Sequence, residues 1–110
     1  MPNEIFETSH DGDALVIRCK GRFIGDDAIR VRNLVKPLIA NARRVTMDLT
    51  DVDYMDSIGL GVIASLYVSS RAARRQFDVV NLSPRIRDLL SVTHLLSLFE
   101  SAGEQNIRLP

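Results

Sequence analysis

The sequence predicts an α/β fold: one mixed, mostly parallel sheet of about four to five strands with α-helices packed against it. Two observations carry this. Short apolar runs with a period of two alternate along the chain with longer runs of helical spacing, and strands alternating with helices imply parallel strands joined by crossovers. The 110 residues suit one domain, 1–110, and the 45% hydrophobic content is enough to close one core. No repeat, low-complexity tract or linker interrupts the chain.

The elements follow in order. Glu4 to Ser9 is a weak strand, and His10-Asp11-Gly12-Asp13 contains the Asp-Gly pair that favours a hairpin turn. From Ala14 to Lys20, Leu15, Ile17 and Cys19 point one way and Val16, Arg18 and Lys20 the other, marking a half-buried strand. Gly21 and Gly25 bracket an expected loop, after which Asp26 or Asp27 stands where a helix N-cap belongs. Ala28, Val31, Leu34, Val35 and Leu38 recur at helical spacing, but Pro37 removes a backbone donor, so that helix should stop or kink near Lys36.

Arg44 to Leu49 is a second clear strand. Thr50 to Met55 reads as an acidic loop, and a long helix is expected from Ser57 to about Arg75. Its first half is apolar almost all round, so it is buried on more than one side or offers an apolar patch to a partner. Leu60 and Tyr67 are the positions considered for partial exposure, and Arg71, Arg74 and Arg75 suit the negative end of the helix dipole. Phe77 to Leu82 reads as a further strand. Ser83-Pro84 is an N-cap followed by Pro at the first helical position, with Ile86, Leu89 and Leu90 as the buried stripe. Thr93 to Phe99 is expected to close the core with a turn and short strand, and Ser101 to Pro110 to form a fraying helix or tail.

Composition bounds the function. Fourteen Lys and Arg balance fourteen Asp and Glu, so the basic excess of a nucleic-acid binder is missing. The lone Cys19 cannot form an internal disulfide, and its place in the alternation marks it as a small buried residue. Met1 to Glu4 shows no signal-peptide pattern, and no apolar run could span a bilayer, so the chain reads as soluble and cytoplasmic. The spacing of Asp48, Asp51, Asp53 and Asp56 fits no calcium loop, and neither His10 nor His94 has a partner at zinc-ligand spacing. No metal or other cofactor is implied. A serine hydrolase would need a base, an oxyanion hole and commonly a G-x-S-x-G elbow, and Met55 stands where the first glycine belongs.

The most informative stretch is Asp56-Ser57-Ile58-Gly59-Leu60-Gly61. At a helix start, unpaired N–H groups and the positive dipole end accept an anion, so a phosphate on Ser57 is compatible with folding. Gly59 and Gly61 each cost roughly 1 kcal/mol of helix propensity relative to Ala. That cost points to close approach by another part of this domain or by a partner.

Val45 to Val62, with its apolar strand, acidic segment and Asp-Ser-x-Gly-Leu-Gly helix start, resembles the signature of the bacterial STAS domain of anti-sigma-factor antagonists. Asn81-Leu82-Ser83-Pro84 and the apolar positions beyond it, and Gly21 at the end of the second strand, extend the resemblance over nearly the whole chain. The resemblance implies a single STAS-like domain that is a ligand and a substrate, not an enzyme. Its unphosphorylated form would bind an anti-sigma factor, itself a serine kinase, and so release a sigma factor. Phosphorylation of Ser57 would block binding, and a phosphatase would reverse it. The implied contact residues are Asp26, Asp56, Ser57, Ile58, Gly59, Leu60 and Gly61, with no nucleic-acid or membrane partner. The family's acidic residue after Gly21 is either displaced to Asp26 or absent, because the segment reads Arg22-Phe23-Ile24-Gly25-Asp26-Asp27. The alternative is a STAS scaffold or accessory subunit of a larger signalling or transport complex, never phosphorylated on Ser57.

Overall fold

The computed structural model describes residues 6–92 and 107–108. The strands are β1 (Phe6–Asp11), β2 (Ala14–Phe23), β3 (Arg44–Met55), β4 (Gln76–Val80) and β5 (Ile107–Arg108). The helices are α1 (Gly25–Val35), α2 (Ser57–Ala72) and α3 (Pro84–Val92), and a 3-10 helix (Lys36–Asn41) follows α1. The sheet has the order β1-β2-β3-β4-β5. β1 pairs antiparallel with β2, and every other neighbouring pair is parallel. This is the mixed, mostly parallel sheet that the alternation of periods predicts.

The core is continuous from sheet to helices. Leu15, Ile17 and Cys19 of β2, Val45, Met47 and Leu49 of β3, and Phe77 and Val79 of β4 are buried in one cluster. Ala28, Val31 and Val35 of α1, Val62, Ile63 and Leu66 of α2, and Ile86 and Leu90 join it. Pro37 acts as expected: α1 ends at Val35, and the 3-10 helix carries Pro in its first turn. The α3 cap also forms, with Ser83 Oγ accepting from Ile86 N at 3.2 Å.

Several boundaries differ from expectation. β1 extends to Asp11, leaving only Gly12 and Asp13 in the turn, with Gly12 at φ +63°. β2 runs to Phe23 through Gly21 (φ +77°), so the loop expected between the glycines shrinks to Ile24. The acidic loop expected at Thr50 to Met55 is strand. Lys20, Gly21, Arg22 and Phe23 pair with Asp51, Val52, Tyr54 and Met55, with register shifts between Arg18 and Lys20 and between Gly21 and Arg22. These irregularities change the burial spacing in β3 from Val45, Met47 and Leu49 to Val52 and Met55, which hides the strand from a period-two reading.

α2 ends at Ala72 rather than near Arg75, and Arg74 has φ +62°. β4 covers Gln76–Val80, ending before Asn81 at φ +62°. Leu60 and Tyr67 are buried, at 8% and 6% exposure; the exposed large apolar residues of α2 are Ile58 and Val68, at 43% and 60%. Ile107 and Arg108 form a strand where a helix or tail was expected. The expectation for Thr93 to Phe99 lies outside the described residues.

Candidate functional site

The site begins with one carboxylate that serves two helices. Asp56 is extended and caps α2, its Oδ1 accepting from Gly59 N at 2.9 Å, while its carbonyl accepts from Leu60 N at 3.0 Å. Its Oδ2 accepts from Gly25 N, the first residue of α1, at 3.2 Å. This corrects the cap expected at Asp26 or Asp27. The N-cap position of α1 is Ile24, which has no capping side chain, and Gly25 adopts φ +51°. The acceptor comes instead from a residue remote in sequence. Asp26 and Asp27 lie in the first turn of α1, where negative charge complements the dipole.

This shared carboxylate brings the starts of α1 and α2 together, and with them Asp26 and Ser57. Both side chains are exposed. Ser57 is the first residue of α2, and no hydrogen bond holds its Oγ among the described residues. Ile58 is also exposed. Gly59 and Leu60 lie beneath the surface. A Cβ on Gly59 would overlap the carbonyl oxygen of Phe23 and come within 3.0 Å of the Phe23 ring and 3.2 Å of Met55 Cβ. The close approach inferred for Gly59 is therefore made by the end of β2. Gly61 is the opposite case: it is exposed, and a Cβ there would meet nothing within 4 Å. Of the contact set expected from sequence, Asp26, Ser57, Ile58 and Gly61 present surface, Asp56 is half-buried as a double cap, and Gly59 and Leu60 support from below.

Two further clusters are absent from the sequence reading. Asp48 accepts from Thr50 N, Thr50 Oγ1 and Asn81 Nδ2, and pairs with Arg18 at 3.7 Å. Burial opposes its ionisation, but these hydrogen bonds, with Arg18 adding to them, hold its carboxyl below the ordinary value. Cys19 shows the reverse. Desolvation, reinforced by the charge of Asp48, pushes its thiol up to about 12, so it is a packing residue and not a nucleophile. In the second cluster, the guanidinium carbons of Arg22 and Arg85 lie 5.8 Å and 5.7 Å from the Tyr54 ring centroid. With Asp53 they line a shallow notch. No run of neighbouring residues signals it, because β2, β3 and α3 contribute one cation or ring each.

The fold and site together define a small α/β domain that presents an uncovered hydroxyl at a helix start. The STAS domain family model matches residues 6–108, and the chain belongs to the STAS domain family. A STAS-domain containing protein of Pseudomonas aeruginosa is 29% identical over 92 residues, covering 84% of this chain and 91% of that protein. The anti-sigma-B factor antagonist of Listeria monocytogenes is 39% identical over 63 residues, which are 54% of this chain and 55% of that protein. Among solved structures, the phosphorylated form of the Bacillus cell fate determinant SpoIIAA superimposes with a TM-score of 0.74 at 17% identity, covering 96% of this chain and 90% of that one. A putative anti-sigma factor antagonist of Thermotoga maritima gives 0.77 at 20% identity, covering 94% and 84%. These structures share the fold. Among the described residues no helix is long and apolar enough to cross a membrane.

Proposed function

We propose that the chain is an anti-sigma-factor antagonist whose unphosphorylated form binds an anti-sigma factor through the face around Ser57, freeing a sigma factor, and which phosphorylation of Ser57 switches off. The observation that carries this reading is the exposed, unbonded Ser57 hydroxyl beside the Asp56 double cap. The Listeria relative, an anti-sigma-B factor antagonist, supports it. The anti-sigma factor is itself the serine kinase. Ser57 Oγ attacks the γ-phosphorus of ATP, ADP leaves, and the hydroxyl proton passes to a base on the kinase. A phosphatase returns the hydroxyl. The chain acts as ligand and substrate and performs no chemistry of its own.

The switch follows from local electrostatics. A phosphate adds about −1.5 to −2 charges at pH 7, beside Asp56 and near the exposed Asp26 and Asp53. The free N–H groups and dipole of α2 offset this charge within the fold, whereas a partner packed closely on Ser57 and Ile58 would have to desolvate it. Phosphorylation therefore blocks association while leaving the fold intact. Incubation with the cognate anti-sigma kinase and ATP, read by mass spectrometry, should add one phosphoryl group to the wild type and none to Ser57→Ala. An unmodified wild-type chain would favour the unphosphorylated scaffold. Ser57→Glu should stay within about 1 kcal/mol of wild-type stability while losing at least about tenfold in affinity; equal binding by Ser57→Glu and Ser57→Ala would refute the charge switch.

A further inference from the structure

Arg22 and Tyr54 are paired across the parallel β2–β3 ladder, so their side chains leave the sheet together. Arg85 reaches the same ring from the first turn of α3. Two like charges thus converge on one aromatic ring, and neither guanidinium has an ion-pair partner among the described residues. Among the described residues Asp53 is the one acidic side chain lining the notch, so the cations outnumber it there. Arg85 also sits at the positive end of its helix, where a cation is disfavoured. Folding gains little from this arrangement, because cation–π contacts at exposed sites contribute only about 0.5–1 kcal/mol each.

The arrangement is suited to recognition. Each guanidinium is a planar fork that matches a carboxylate in bidentate fashion, and stacking on Tyr54 restricts its rotamers before a partner arrives, lowering the ordering cost of binding. Tyr and Arg are also the residue types most enriched among energetically dominant interface positions. The openness of the notch indicates the kind of occupant. Arg22 and Arg85 are both exposed, so a small free anion would remain in water and be bound weakly. A protein surface that covers the notch would exclude that water and strengthen the ion pairs. Tyr54 lies three residues before Ser57, at the end of β3 that leads into α2.

We propose that Arg22, Tyr54 and Arg85 form a second anchor for the protein partner that docks at Ser57, taking an acidic side chain of that partner. This rests on the reading of the Ser57 face given above. It makes the interface bipolar: the acidic rim of Asp26 and Asp27 faces basic groups of the partner, while the arginine pair, in excess over Asp53 in the notch, faces a carboxylate and fixes the orientation of docking.

The test is calorimetry of the full chain against the purified serine-kinase anti-sigma factor at low and high salt. Arg22→Ala and Arg85→Ala should each weaken binding about tenfold and the double variant about a hundredfold, with far-UV spectra and melting unchanged. Arg22→Lys should recover only part of the loss, because the charge returns without the fork. The double variant should also show a shallower salt dependence than the wild type. Wild-type affinity in the double variant, alongside lost binding in Ser57→Glu, would overturn the second anchor and leave the function standing. Absence of wild-type binding would overturn both. Saturation of the free chain by sub-millimolar inorganic phosphate, followed by Arg and Tyr side-chain NMR, would show a small-anion site and also overturn it.

Discussion

Gly59 and Gly61 occupy the same helix for different reasons. Gly59 faces a backbone carbonyl that cannot swing aside, so Gly59→Ala should cost about 1–3 kcal/mol as the start of α2 is pushed off β2, seen as a lower denaturant midpoint. Gly61 has open space around it, so Gly61→Ala should stabilise the fold by about 0.5–1 kcal/mol. If a partner backbone approaches there, the same variant should weaken association, a gain in stability accompanied by a loss in binding. Asp56→Ala removes the acceptor for two backbone donors and should cost about 1–3 kcal/mol. The start of α2 at Ser57 was legible in the sequence, whereas Asp56 as its cap is a finding of the structure. Its bond to Gly25 was not legible, because local spacing carries no information about a long-range contact.

At the scale of elements, α2 and α3 were readable and β3 only in part. Ser83-Pro84 and Asp56-Ser57 are local signals, and both helices start at those positions. The second half of β3 escaped because Asp51 and Asp53 look like turn residues and the register shifts disturb the alternation. Asp48, midway along that strand, ties β3 to Arg18 of β2 and to Asn81 beyond β4. Its folded-state pKa is depressed, so its stabilising contribution is complete above the unfolded carboxylate value of about 3.9 and disappears as pH falls through the lower folded value. Asp48→Asn should therefore lose stability at pH 7 and show a flatter decline below about pH 4 than the wild type, measured by urea unfolding across that range.

For the whole molecule, the fold class was legible because it depends on the alternation of two periods, which a misplaced boundary does not disturb. The mixed, mostly parallel sheet follows from that alternation and from the Asp-Gly hairpin, whereas the spatial strand order and the strand at Ile107–Arg108 rest on long-range pairings that no local pattern carries. One continuous core joins the sheet to α1, α2 and Ile86 and Leu90 of α3. Cys19, 2% exposed within that core, should therefore resist thiol reagents at pH 8 until the fold is lost. Its labelling and the far-UV signal should share one denaturant midpoint, and early labelling would reveal separate opening of the β1–β2 edge. The arrangement at Asp56 also affects solvent exchange. The amide protons of Gly25 and Gly59, on different helices, share a single acceptor group, so one side-chain rotation would release both to deuterium together. Paired exchange at these two amides would provide a reporter of docking at Ser57 that needs no label on the serine itself.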